Sequence, residues 1–198
     1  MKNRETDSVT VDVSFVGRDG DVSAIVTQLT ATNNNETISV LPIVGMGGIG
    51  KTTLARKVIN DPKIEKHFEK RMWVCVSEDF NSNRLFGMIL QSLQGREPEA
   101  KDRDARVKQL KALLDGKKCL LVLDDVWNKE SMLWNDFLGS MKGTNQAMGS
   151  WILLTTREQQ VVDITRISSS QGYSLKQLSD DQCWRILKEN AFSGREVQ

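Results

Sequence analysis

The stretch Gly45-Met46-Gly47-Gly48-Ile49-Gly50-Lys51-Thr52 fits the pattern G-x-x-x-x-G-K-[ST] at every fixed position. Residues of these types at this spacing can hold a polyphosphate. Glycines let the backbone turn its N–H groups inward, and the N-terminus of a following helix adds partial positive charge. Lys51 is then placed to reach the β- and γ-phosphates, Thr52 to offer its hydroxyl to Mg²⁺, and Thr53 to approach the α-phosphate region. The alternative is a Gly-rich turn capping an ordinary helix, and the flanks argue against it. Ser39-Val40-Leu41-Pro42-Ile43-Val44 reads as a buried strand and residues 52–60 as a helix, the order the pattern requires. Pro42 cannot donate to a sheet ladder, so its nitrogen is expected to face a gap or a bulge.

A second candidate group ends the apolar run Leu120-Leu121-Val122-Leu123 with two carboxylates, Asp124 and Asp125. Carboxylates at the end of a buried strand are suited to holding Mg²⁺ and polarising a water beside a γ-phosphate. Asp124 is the candidate for the Mg²⁺ shell. Asp125 is either a base or water-positioning group, or a cap for the following helix. Thr155-Thr156-Arg157 closes a further strand-like run, where Arg157 either senses a γ-phosphate or is a surface arginine. In an open α/β sheet the ligand lies beyond the carboxyl ends of the strands, so all three groups should meet in one crevice.

The elements that must position them alternate. Extended residues 11–18 precede a helical pattern at 21–29 and a polar link at 33–36. Strand-like runs follow at 71–76, 118–123 and 151–155, with one crossover helix expected between the first two strands. Helical patterns at 84–93 and 104–114 flank the charged link 95–102. This order calls for right-handed crossovers and a doubly wound α/β sheet. Composition narrows the function further. Across 198 residues, 27 lysines and arginines face 26 acids, which gives no electrostatic reason to expect nucleic acid as a partner. No stretch approaches the roughly 18 apolar residues that span a bilayer, so no membrane span and a cytoplasmic location are expected. Three dispersed cysteines and one histidine make a zinc site or disulfide framework a poor reading. Cys75 and Cys119 are expected as small buried hydrophobes, and His67 as a surface or helix-end side chain.

With these motifs in order, the sequence resembles the nucleotide-binding (NB-ARC) domain of plant disease-resistance proteins, part of a wider class of signalling ATPases. Phe15-Val16-Gly17-Arg18 looks like the family's entry motif, and residues 45–55 look like its phosphate loop. Residues 67–77 are similar to its first specific block, 118–127 to its Walker B block, 149–157 to its sensor block and 173–187 to the passage into a helical domain. Trp127 after the acids resembles the subgroup with an N-terminal coiled coil, and Trp151 stands where a lysine is more usual.

The resemblance implies a P-loop NTPase fold, α/β, with a parallel five-stranded sheet flanked by helices in three layers. It implies an arm at 1–37, a nucleotide-binding domain at 38–178 and the start of a truncated helical domain at 179–198. The implied cofactors are ADP or ATP with Mg²⁺. Val16, Gly17 and Arg18 would meet the adenine, while Gly45, Gly47, Gly48, Ile49, Gly50, Lys51, Thr52 and Thr53 would meet the phosphates. Thr52 and Asp124 would hold the metal, and Asp125 and Arg157 would act on the γ-phosphate. The implied function is a nucleotide-dependent switch in defence signalling, at most a weak ATPase. Its implied partners are an adenine nucleotide and, in a full-length parent, helical, winged-helix and leucine-rich-repeat domains and other receptor protomers. The chain is expected to be a fragment of that architecture. The competing readings are a P-loop ATPase with genuine turnover and a nucleotide-free adaptor, the latter opposed by the presence of Lys51, Thr52 and Asp124.

Overall fold

The computed structural model describes residues 6–10, 15–31, 36–76, 80–165 and 172–192. The expected extended residues 11–14, the link at 33–35, Ser77 of the 67–77 block and residues 193–198 of the last region lie outside the described residues. In chain order the elements are α1 (Asp19–Leu29), β1 (Ile38–Val44), α2 (Lys51–Ile59), α3 (Pro62–His67), β2 (Lys70–Cys75), α4 (Ser82–Gln94) and α5 (Arg103–Leu114). There follow β3 (Cys119–Val126), α6 (Ser131–Thr144), β4 (Ser150–Thr156), α7 (Gln159–Thr165), β5 (Tyr173–Ser174) and α8 (Asp180–Phe192).

Local chemistry sets the helix boundaries. Asp61, Asn81 and Asp102 accept backbone N–H groups at the starts of α3, α4 and α5, and Gly95 closes α4 in the left-handed region. The crossover expected as a single helix is two, because Asp61 caps a new start and Pro62 takes its first position. His67 is the last residue of α3, its ring edge-on to Phe68.

The sheet has five parallel strands in the order β2-β3-β4-β1-β5. Alternate strand residues feed two cores. Leu121, Leu123, Ile152 and Leu154 pack under α4 to α7, where Phe80, Phe86, Trp134 and Phe137 form an aromatic cluster. Leu41, Ile43, Leu120, Val122 and Leu153 pack under α1, α2 and α3. The result is the expected three-layer P-loop architecture. Cys119 is buried, and burial pushes its thiol up to about 11, whereas Cys75 is only half-buried, contrary to expectation for a core residue. On α8, Trp184 and Leu187 are each 56% exposed. Among the described residues no helix is long and apolar enough to cross a membrane.

Pro42 lies inside β1, between β4 and β5. In a parallel ladder a residue's N–H and C=O point to the same side, and sides alternate along the strand. Gly45 donates to Thr156 and Thr37 accepts from Ser150, so odd positions face β4. Val44 accepts from the N–H of Leu175, so even positions, Pro42 included, face β5. Among the described residues, pairing on that side begins at Ile43 with Tyr173, so no described ladder bond calls on the nitrogen of Pro42. Pro42→Ala should therefore change the urea-unfolding free energy by less than about 1 kcal/mol. Leu41→Pro, which removes a donor facing β4, should cost roughly 1–3 kcal/mol from the stranded acceptor alone.

Candidate functional site

The loop after β1, the end of β3 and the end of β4 open on the same edge of the sheet, and β4 lies between the other two. In the loop, Gly48 and Gly50 have φ of 76° and 99°, a conformation that side chains with a Cβ rarely adopt. Gly47 lies under Arg157, since a Cβ there would stand 2.9 Å from its guanidinium, which a larger residue would push aside. Gly50 begins α2 with no side-chain cap, which leaves the first-turn N–H groups of the helix directed at the loop. The Nζ of Lys51 donates to the carbonyls of Gly45 and Met46, each at 2.8 Å. Burial pushes this ammonium below the ordinary lysine value of 10.5, and Arg157 adds to the shift while Asp125 and Asp124 oppose it. A positive group held in this way is matched to an anion.

Asp124 is fully buried. Its Oδ1 accepts the hydroxyl of Thr52 at 3.0 Å and that of Thr155 at 2.5 Å. The carboxylate at the end of β3 is thus joined to the first turn of α2 across β4, which brings the two sequence motifs into contact. The strand makes room by a bulge: Leu123 pairs with Leu154 and Val126 with Thr156, so Asp124 and Asp125 together oppose the single residue Thr155. Asp125 takes up the extra length at φ 56° and donates its N–H to the Thr155 hydroxyl at 2.9 Å. A non-glycine residue in that region costs of order 1 kcal/mol, which aspartate tolerates better than most. Asp125 caps no helix, since α6 starts at Ser131 after Glu130. Its carboxylate lies 3.9 Å from the Nε of Arg157, whose guanidinium stacks 4.9 Å above the ring of Trp127.

The entry motif meets the loop through a side chain. Arg18 is buried and donates to the carbonyls of Ile49 at 3.1 Å and Lys176 at 2.8 Å, while pairing with Asp21 at 3.2 Å. Asp21 also accepts the hydroxyl of Tyr173, whose titration is pushed up to about 12, first by burial and then by this bond. Val16 is buried, and the side chain of Gln182 on α8 lies against Gly17. Thr53 sits half-buried on the first turn of α2.

The sequence matches the NB-ARC domain over residues 18–197. This chain belongs to that family. Disease resistance protein RGA2 of Solanum bulbocastanum is 41% identical over 196 residues, covering 98% of this chain and 20% of that protein. Disease resistance RPP13-like protein 4 of Arabidopsis thaliana is 32% identical over 181 residues, covering 91% of this chain and 21% of that protein. The chain thus spans about a fifth of the length of the curated relatives it matches. Among solved structures, Cdc6p of Pyrobaculum aerophilum superposes with a TM-score of 0.67 at 19% identity, covering 93% of this chain and 53% of that one. The Aeropyrum pernix ORC2 protein in its ADP form gives 0.64 at 19% identity, covering 96% and 56%. At that identity the two show a shared P-loop fold and no more.

In this NB-ARC domain the donor set fits Mg²⁺. Thr52 and Asp124 supply hard oxygen atoms, and Mg²⁺ usually takes one or two protein ligands and completes its shell with phosphate oxygens and water. Among the described residues no group of three or more His, Cys, Asp or Glu stands together. Two participants escape sequence reasoning. Thr155 braces both aspartates, and the signal for it was a hydroxyl at the end of the strand next to the carboxylates. Thr6 donates to Asp124 Oδ2 at 2.8 Å, and nothing in its polar surroundings marks it.

Thr155→Val should destabilise the domain by about 1–3 kcal/mol, because two buried groups lose their partner together. Chemical unfolding measures this directly. Lys51 yields a second expectation. With its folded pKa below 10.5, the unfolded chain binds more protons between the two values, so this residue makes stability rise with pH through that window. Lys51→Met should remove that rise, seen as a wild-type minus variant difference in unfolding free energy that grows from neutral pH towards pH 10.5.

Proposed function

We propose that this NB-ARC domain is the ADP- or ATP-binding module of a plant immune receptor and works as a nucleotide-dependent switch. The observation that carries the reading is the joining of Lys51, Thr52 and Asp124 at one sheet edge, with Thr52 and Asp124 in direct hydrogen bond at 3.0 Å. The ammonium of Lys51 and the uncapped start of α2 would bind the β- and γ-phosphates. Gly45, Gly47, Gly48, Ile49 and Gly50 would wrap them with backbone N–H groups, and Thr53 would reach the α-phosphate. Val16, Gly17 and Arg18 would border the base, a role supported by the bond from Arg18 to the Ile49 carbonyl. Bound through Thr52 and Asp124, Mg²⁺ would neutralise phosphate charge.

The way the remaining groups are held supports slow hydrolysis. Arg157, placed over Gly47 to sense a γ-phosphate, is shared with Asp125 and Trp127. Asp125, the candidate for orienting water, has a charged neighbour to satisfy. The reading of genuine ATP turnover draws on one observation, the exposure of that carboxylate at 39%. We further propose that 179–198 opens a helical domain, that the longer protein acts in the cytoplasm, and that helical, winged-helix and leucine-rich-repeat domains and other protomers are its partners. The exposed Trp184 and Leu187 on α8 support such a neighbour.

The test is nucleotide released from purified, denatured protein and identified by chromatography. ADP should be recovered near stoichiometry from the wild type and lost at least tenfold in Lys51→Ala, the size expected when a charge-assisted contact worth about 1.4 kcal/mol or more is removed. No nucleotide, with no saturable binding of ADP or ATP in Mg²⁺, would overturn the reading. Sustained phosphate release from ATP would move it to an ATPase.

A further inference from the structure

Residues 6–10 approach the site from outside every motif. The hydroxyl of Thr6 donates to Asp124 Oδ2 at 2.8 Å and accepts from the indole N–H of Trp73 at 3.3 Å. Its backbone neighbours are clasped to the outer side of α2. Arg56 Nε donates to the carbonyl of Asp7 at 2.9 Å, and Asn60 Nδ2 to that of Ser8 at 2.7 Å. The carboxylate of Asp7 then folds the segment into a turn by accepting the N–H groups of Val9 and Thr10 at 2.8 and 2.6 Å. The segment is therefore a short strap with its own internal turn and anchors on α2, β2 and β3.

Its contact falls on a sensitive atom. Asp124 Oδ1 is taken by Thr52 and Thr155, so Oδ2 is the oxygen on which Thr6 acts. A hydroxyl donating along that direction points a proton where a cation requires a lone pair. Because Trp73 already donates to the Thr6 oxygen, the hydroxyl is oriented as a donor to Asp124. A divalent cation reaching Oδ2 competes with it, since both draw on the two lone pairs of one oxygen and the hydroxyl proton repels the cation.

We infer that residues 6–10 form a strap that closes the metal side of the site, and that a divalent cation on Asp124 releases it. The inference rests on the reading above, in which Asp124 takes the metal. Linkage makes the effect reciprocal: the strap weakens the cation by the factor by which the cation loosens the strap. The device converts occupancy of the site into freedom of the segment that enters the domain. Thr6 acts here as a competitor for a ligand position.

The test uses the full chain, with ADP titrated in EDTA and in Mg²⁺ and amide hydrogen exchange followed at Val9 and Thr10. Adding Mg²⁺ to the ADP-bound protein should speed exchange at both amides at least about fivefold, and Thr6→Val should strengthen Mg²⁺-dependent binding by a like factor. Thr6→Ser, which keeps the hydroxyl, should behave as the wild type. Asn60→Ala, which loosens the strap without touching Asp124, should move in the same direction as Thr6→Val. Weaker Mg²⁺-dependent binding in Thr6→Val, or exchange unchanged by Mg²⁺, would overturn the strap and make Thr6 a positioning residue for Asp124. If no ADP binds to the wild type, the nucleotide reading fails. The strap is then decided by Mn²⁺ alone, which should speed the same exchange, and unchanged exchange would refute it.

Discussion

A carboxylate without solvent, Asp124, is the constraint around which this domain is arranged. Burying an ionised oxygen pair is costly unless donors surround it, and here hydroxyls supply them. Each donor comes from a different part of the chain: Thr52 from α2, Thr155 from β4 and Thr6 from the strap. Satisfying one side chain thereby fixes where a helix starts, how two strands are registered and where the chain enters. Hydroxyls also suit the position because they can turn, whereas a buried lysine or arginine would neutralise the charge and compete with any cation.

The bulge in β3 serves the same carboxylate. With regular pairing, Asp125 would occupy a ladder position and Thr155 would face only one of the two acids. The extra residue lets one threonine hydroxyl donate to Asp124 and accept from the Asp125 backbone at once. The strained φ of Asp125 is sustained by those bonds and by the strands on either side. Arg157 extends the arrangement outward, with its guanidinium beside Asp125, above Trp127 and close to Gly47. A single arginine therefore touches one of the two acids, the aromatic that follows them and the phosphate loop.

Most of this was legible in the sequence because the informative residues are local. The loop glycines, Lys51 and Thr52 are read from spacing, and the buried strands from unbroken apolar runs such as Leu120-Leu121-Val122-Leu123. The second crossover helix was signalled by Asp61-Pro62 and missed because six residues make too short a periodic pattern. Thr155 required knowledge of strand order, since only β4 lying between β1 and β3 gives its hydroxyl access to both acids. Thr6 lay beyond reach, being 118 residues from its partner and set among polar neighbours that carry no periodicity. Side-chain roles were harder to read than positions. Arg18 was expected beside the adenine, and its guanidinium ties the loop to the chain after β5.

Pro42 has a consequence beyond the nucleotide site. Among the described residues the strand beside β1 is two residues long, and a proline in β1 offers no backbone N–H to a strand paired on that side. Pro42 stands on that flank immediately before β5 begins. By withholding an N–H there, it fixes one position on that side of β1 at which a paired strand finds an acceptor but no donor.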